Sequence, residues 1–258
     1  MIWMNVTGVI YIDGEVSAHG SPAAETSGGG GGSGGSIWMY CELIKGYGRI
    51  SANGGAGSEL TSDPGGGGAG GRVALYFRRN ETFSSFRYTA YGGAAGDGNG
   101  AQNGGGGTVF IYHLLEDHQT LIIDNNGLQP PSEEHIINDY GDLSGDSCRT
   151  WILPQSGRHF FAGGSYRYRF NELQIYGSAH LAILVEPFPQ LTDLFFLHMI
   201  GDRTGTVHLG NQQVMDLERP EIDLPFSVQV YAGENSFGIG KWSAEHCSHI
   251  LMKRISLM

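Results

Sequence analysis

Three stretches decide the fold: Gly34-Gly35-Ser36-Ile37-Trp38-Met39-Tyr40, Gly70-Gly71-Arg72-Val73-Ala74-Leu75-Tyr76 and Gly106-Gly107-Thr108-Val109-Phe110-Ile111-Tyr112. Each copy begins 36 residues after the last. A fixed period between about 20 and 50 residues marks units stacked on one another. Glycine runs at 28–32, 65–68 and 104–107 precede or open the copies. A second element occurs once per unit: Val16-Ser17-Ala18-His19-Gly20, Ile50-Ser51-Ala52-Asn53-Gly54 and Tyr88-Thr89-Ala90-Tyr91-Gly92.

Successive side chains of a strand point to opposite faces, so alternation assigns them. Ile37, Met39 and Cys41 go inward with Val73, Leu75 and Phe77 and with Val109 and Ile111, leaving Ser36, Arg72 and Thr108 outside. The same parity puts Tyr40, Tyr76 and Tyr112 outside, at one position in three successive units. In the second element Val16, Ala18, Ile50, Ala52, Tyr88 and Ala90 face in, and Ser17, Ser51 and Thr89 face out. Glycine allows positive φ and close backbone approach, which predicts sharp turns or thin loops between the strands. The expected class is all-β, a right-handed parallel β-helix or solenoid with glycine-rich loops. Its first region is 1–130.

Beyond Pro130-Pro131 glycine thins and the repeat blurs. Leu173, Ile175, Ala179, Leu181, Ile183 and Val185 still alternate with Glu172, Gln174, Ser178, His180 and Glu186, and 194–200, 205–210, 213–217 and 226–232 read as strands between turn signals. Region 131–258 is either a continuation with another cross-section or a second β domain. No amphipathic helix is read anywhere.

Glycine makes up 43 of 258 residues, against a usual share of roughly 7%, and this excess needs the geometric cause just given. The formal charge of −11, with three lysines (Lys45, Lys241, Lys253), argues against nucleic acid, whose phosphates demand clustered cations. No apolar run approaches a membrane span and no charged-then-apolar leader opens the chain. Met1 falls within a strand pattern, and no polar cap is visible. This leads us to expect a fragment of a longer protein that aggregates or is unstable in isolation. Three cysteines are too few for a disulfide scaffold and lack metal spacing. Cys41 reads as a buried apolar residue, whereas Cys148 and Cys247 pair if the fold brings them together. Asn5-Val6-Thr7 and Asn80-Glu81-Thr82 would accept glycans at Asn5 and Asn80 in a secreted protein.

The blocks around Gly34 to Trp38, Gly48-Arg49-Ile50-Ser51-Ala52-Asn53-Gly54-Gly55 and Gly67-Gly68-Ala69-Gly70-Gly71-Arg72-Val73-Ala74 resemble the glycine-rich repeat region of very large extracellular or cell-surface proteins. Relatives of that kind often carry EGF-like or ephrin-receptor-like modules. The resemblance spans 8–127 well and 165–210 more loosely through Phe170-Asn171-Glu172-Leu173-Gln174-Ile175-Tyr176-Gly177. It implies an extracellular β-helix of pectin-lyase-like shape with no established activity and no catalytic motif to transfer.

Polysaccharide-cleaving β-helices carry Asn-Thr-Asp, Asp-Asp, Gly-His-Gly and Arg-Ile-Lys elements or clustered calcium-binding aspartates. None of these elements is present, and Asp139, Asp142, Asp146 and Asp202 read as turn residues. Gly92-Gly93-Ala94-Ala95-Gly96-Asp97-Gly98-Asn99-Gly100 only faintly resembles a calcium nonapeptide and reads as a flexible loop. The histidines lack metal-ligand spacing, and no Gly-Lys-Ser/Thr follows the glycine runs, so no cofactor or metal is expected. The tyrosine column either stacks on sugar rings or stacks on itself to stabilise the repeat. Three functions follow: a structural or adhesive surface module without catalysis, a carbohydrate-binding β-helix using Tyr40, Tyr76 and Tyr112, and a polysaccharide lyase or hydrolase. Extracellular glycans or other surface proteins are the expected partners.

Overall fold

The structure, a computed structural model, describes residues 1–24, 28–60, 62–81, 86–97, 100–129, 149–152, 166–183, 192–209, 214–217, 227–232 and 250–254, several later strands by backbone alone. These residues form an all-β fold, with no helix among them. One eight-stranded sheet orders β1 (Ile2–Tyr11), β3 (Ser36–Lys45), β5 (Arg72–Glu81), β7 (Thr108–His113), β8 (His118–Asp124), β10 (Tyr166–Tyr176), β12 (Thr192–Gly201) and β14 (Val214–Leu217). A three-stranded sheet holds β2 (Glu15–Ser17), β4 (Arg49–Ser51) and β6 (Arg87–Thr89). A five-stranded sheet orders β16 (Ile250–Arg254), β15 (Ser227–Ala232), β13 (Thr206–Leu209), β11 (His180–Ile183) and β9 (Arg149–Ile152). The described pairings are parallel except the β7–β8 hairpin.

The 36-residue period is a register. Ile37 lies opposite Val73 and Val73 opposite Val109, with Met39, Leu75 and Ile111 two residues on. In the second region the register shortens to 26 residues, Tyr166 opposite Thr192 and His180 opposite Thr206, and then to 21, Asp193 opposite Val214 and Thr206 opposite Ser227. Loss of the sequence repeat past residue 130 thus reflects a change of period while strand stacking persists.

Alternation placed the first core correctly. Ile37, Met39, Cys41, Val73, Leu75, Phe77, Val109 and Ile111 are buried and join Ile50 of β4, with Ala52 and Ala90 just past β4 and β6, in one cluster. Burying a side chain of this kind contributes about 1.5–3 kcal/mol, which makes the column the main source of stability in residues 1–113. Val16, Ala18 and Tyr88 pack against the cluster only partly buried.

The buried face of the long sheet changes sides at the hairpin. Directly opposed residues share a face, so Val109 points with Ile122, and Phe110 with Leu121. Ile122 packs on the first core. Leu121 and Ile123 instead align with Leu173 and Ile175, all four buried, as are Ala179, Leu181, Met199 and Val207. The outer face of the first stack therefore continues into the inner face of the second. Asp117, at φ 48°, turns the chain between the two strands.

The glycine runs correct the expectation of turns and thin loops. Among the described glycines the positive-φ ones are Gly46, Gly100, Gly127 and Gly177, none within the runs 28–35, 65–71 or 104–107. The runs lie extended against one another and bond at every third residue. Gly31 and Gly34 donate to Gly66 and Ala69 of the next unit, and Gly67 and Gly70 donate to Gln102 and Gly105. In a second direction Gly65, Gly68 and Gly71 donate to Ser58, Gly55 and Ala52, and Gly93 and Gly96 donate to Gly68 and Gly65. This is the period of a threefold extended chain, and it lets each segment bond to two neighbours at once. Only glycine fits: a Cβ on Gly55 would stand 2.1 Å from the carbonyl oxygen of Ser21, and one on Gly93 would stand 1.9 Å from that of Gly55. Residues 92–96, read as a flexible loop, belong to this lattice.

Candidate functional site

Tyr40, Tyr76 and Tyr112 stand in register on the outer face of β3, β5 and β7. They belong to a wider strip. Trp38 and Phe110, two residues earlier and so of the same parity, share the face, and Trp3 lies opposite Trp38. Trp3 and Trp38 stack at 5.5 Å and 10°, and Trp38 meets Tyr76 at 5.5 Å. Tyr76 meets Phe110 and Tyr112 edge-on at 5.6 and 6.1 Å, and Phe110 meets Phe170 of β10 at 6.1 Å. The strip thus ends on the second core. The rings meet in stacked, tilted and edge-on pairs, which stabilises the strip. Trp3, 59% exposed, is the most open member. Trp38 and Phe110 share the tyrosines' parity but not their identity, so a repeat of one residue type marks only the tyrosines.

Asn5 is exposed on β1 and opposite Tyr40, so a glycan there would lie over the head of the tyrosine column. Asn80 is exposed on β5, opposite Ile44. Cys148, Cys247, Asp139, Asp142 and Asp146 lie outside the described residues. Asp202 is described and serves a turn: it accepts from Thr204 N–H at 3.0 Å, Thr204 Oγ1 at 2.6 Å and Gly177 N–H at 2.9 Å. Burial pushes its carboxyl up, but these bonds outweigh it and hold the pKa below the usual aspartate value.

Ser51 and Thr89 face away from the core yet are buried. Ser51 Oγ lies 2.7 Å from Glu15 Oε1 and 3.0 Å from His19 Nε2, so residues of the preceding unit cover it. Hydroxyl, imidazole and carboxylate together invite a nucleophile reading, which the hydrogen bonding opposes. His19 Nδ1 accepts from the Asn53 N–H at 3.1 Å, which places the neutral ring's proton on Nε2. That nitrogen faces Ser51 as a donor and cannot take its proton, as an activating base must. The cluster is a clip between units, and it has successors. Asn53 Oδ1 accepts from Tyr91 N–H at 2.9 Å, and Asn125 Oδ1 accepts from Gly92 N–H at 2.9 Å. The variable residue of the second element (His19, Asn53) thus accepts a backbone N–H of the next unit. Because His and Asn perform this one job with different atoms, comparison by residue identity missed it.

Beneath β6 a cleft of about 190 Å³ opens where the three-stranded sheet ends and the long sheet continues. Val109, Ile122 and Ala90 give it an apolar side; Tyr88, Thr89, Asp124, Gln174 and Tyr176 supply polar groups. Burial, first, and the nearby Asp202 raise the Asp124 carboxyl, against the bond it accepts from Asn126 N–H.

Among the described residues no group of three His, Cys, Asp or Glu could hold a metal ion, and no helix is long and apolar enough to cross a membrane. Comparison with family models, curated proteins and solved structures finds no match to this chain.

Proposed function

We propose that the chain is a rigid, non-catalytic structural or adhesive module of an extracellular surface protein, wound as a right-handed parallel β-helix. The observation that carries this reading is the glycine lattice. Residues bonded in two directions at every third position, too tightly for any Cβ, form a slab without side-chain chemistry whose property is stiffness. The parallel registers of 36, 26 and 21 residues between two sheets support the helical winding. Crossovers between parallel strands are right-handed in about 98% of cases. Strand direction and buried face both reverse at β7–β8, and reversing both leaves the hand of winding unchanged. The exposed sequon asparagines Asn5 and Asn80 support an extracellular setting.

A second reading, carbohydrate binding along the outer strip, is favoured by the exposure of Trp3 and by the strip's extension over four strands.

Force spectroscopy on the full chain, paired with incubation on polyuronates, tests the main reading. Yielding of residues 1–113 as one resistant unit with no product release supports it. Stepwise yielding at low force, or new chain ends in the polymer, overturns it.

A further inference from the structure

We propose that Asn126 is a self-modification site: its side chain cyclises onto the Gly127 nitrogen and sheds ammonia, ahead of Asn53 and Asn103, and the change loosens the joint between the glycine lattice and the second stack. This goes beyond the structural reading above and uses neither the aromatic strip nor any ligand.

The chemistry belongs to asparagine followed by glycine. The glycine backbone nitrogen, once deprotonated, attacks the asparagine Cγ. The N–Cγ bond forms, the Cγ–Nδ2 bond breaks, and Nδ2 takes up a proton and leaves as ammonia. Water then opens the five-membered imide at either carbonyl. The product at that position is an aspartyl residue, or an isoaspartyl residue whose main chain runs through the former side chain. Glycine favours the attack because it has no side chain to obstruct it.

Four such pairs occur: Asn53-Gly54, Asn99-Gly100, Asn103-Gly104 and Asn126-Gly127. Asn99 lies outside the described residues. The fold holds two of the other three. Asn53 Oδ1 accepts from Tyr91 N–H at 2.9 Å; Asn103 accepts from Ala95 N–H at 2.8 Å through Oδ1 and donates to the Gln129 carbonyl at 2.9 Å through Nδ2. The glycines that follow them are wedged. A Cβ on Gly54 would stand 2.0 Å, and one on Gly104 1.9 Å, from the Gly68 carbonyl oxygen, so neither peptide can turn towards its asparagine without displacing lattice backbone. Asn126, by contrast, is exposed, and its amide has no hydrogen-bond partner among the described residues. A Cβ on Gly127 would meet nothing within 4 Å. All three glycine N–H groups are donated, Gly54 to Tyr91, Gly104 to Gly93 and Gly127 to Gly177, so each must open before it reacts. An exposed turn opens at low free energy, whereas lattice backbone opens only together with its neighbours.

The consequence follows from the turn. Asn126 at φ 53° and Gly127 at φ 78° are the central residues of a tight turn closed by Leu128 N–H on the Asn125 carbonyl at 2.9 Å. Asn125 is the clip at the joint: it accepts from Gly92 N–H and donates to the carbonyls of Gly104 and Leu128. Asp124 Oδ1 accepts from Asn126 N–H at 2.8 Å. Conversion therefore adds a carboxylate next to Asp124. In the isoaspartyl form it also lengthens the turn by one backbone atom, which breaks the geometry that the closing bond and the clip share.

The test ages the full chain for weeks at neutral and mildly alkaline pH, folded and in urea, and follows mass gain and isoaspartate at each pair by peptide mapping. In the folded chain Asn126 should convert roughly tenfold or more faster than Asn53 or Asn103, and faster at the higher pH; in urea, where the three pairs share one chemistry, their rates should converge. Hydrogen exchange at Gly92 and Leu128 should accelerate in the aged parent. It should stay unchanged in aged Asn126→Gly, which accepts the left-handed backbone and has no amide to lose. The proposal is overturned if Asn126 keeps its amide in the folded chain over the time the urea sample loses it, if Asn53 or Asn103 converts as fast, if the same order persists in urea, or if ageing leaves exchange at Gly92 and Leu128 unaltered.

Discussion

A methyl group on Gly93 would lie 1.9 Å from the carbonyl oxygen of Gly55, a residue 38 positions earlier in the chain and one unit away in space. The obstacle is backbone held by hydrogen bonds on both sides, since Gly55 donates to Gly32 and accepts from Gly68. Gly93→Ala should therefore cost about 3 kcal/mol or more, the upper end of overpacking penalties. Gly8→Ala, with nothing within 4 Å of the new methyl, should stay within about 0.5 kcal/mol of the parent, as exposed changes do. Urea unfolding of both variants checks the contrast. Equal stability would mean that the lattice gives way easily.

The outer strip should behave as a coupled unit. Trp38 and Tyr76 sit on adjacent strands with centroids 5.5 Å apart, and such pairs couple by about 0.5–1.5 kcal/mol in double-mutant cycles. A cycle with Trp38→Ala and Tyr76→Ala should give a favourable coupling in that range. Additive losses would leave the ring faces free for another partner and so favour the carbohydrate reading.

Two carboxyls should tilt stability oppositely with pH. The hydrogen bond from Ser51, and then that with His19, hold Glu15 below the ordinary glutamate value. Its contribution is present above the unfolded pKa of about 4.3 and is lost as pH falls through the lower folded value. Ser51→Ala removes the larger cause, so the variant should lose less stability than the parent on acidification below about pH 4. Asp124 is raised by burial, so its contribution is present in acid and lost as pH rises through its folded value. Asp124→Asn should abolish that loss. Chemical melts from pH 3 to pH 7 separate the two slopes.

Cys41 is fully enclosed, and burial, with Glu42 second, pushes its thiol up to about 11. The thiolate is the reactive species, so labelling of Cys41 at neutral pH should proceed only as fast as the core opens. Peptide mapping after timed alkylation, with and without subdenaturing urea, measures this. Rapid labelling in native buffer would contradict the burial.

How much of this was legible depended on whether one residue type performs one job. The column of Ile37, Val73 and Val109 was readable because burial in a strand needs an apolar side chain at every second place, and the period repeats it. The bonding role shared by His19 and Asn53 was not, since a ring nitrogen and an amide oxygen serve equally. Glycine identity announced close approach, but the three-residue bonding pattern arises from which neighbour each N–H meets, and glycines look alike in sequence. The tyrosines were found by identity, whereas Trp38 and Phe110 needed parity alone. The cleft beneath β6 depends on where the three-stranded sheet stops, which residue patterns near β6 do not mark.

The change of buried face between Leu121 and Ile122 yields the sharpest test, because neighbours in sequence belong to different interiors. Leu121 is 5% exposed and aligned with the fully buried Leu173, whereas Ile122 packs on the cluster containing Val109 and Ile111. Leu121→Ala should cost about 2–5 kcal/mol, as buried leucine truncations do, and the loss should register locally. Hydrogen exchange should accelerate at Leu173, Ile175 and Leu181 while Leu75 and Ile50 keep their protection. Leu75→Ala should do the reverse, exposing the amides around Ile37 and Val109 first. If the chain carried one continuous interior on one face, either truncation would loosen both sets together. The direction in which exchange spreads from adjacent positions therefore reports which side of the sheet each stack fills.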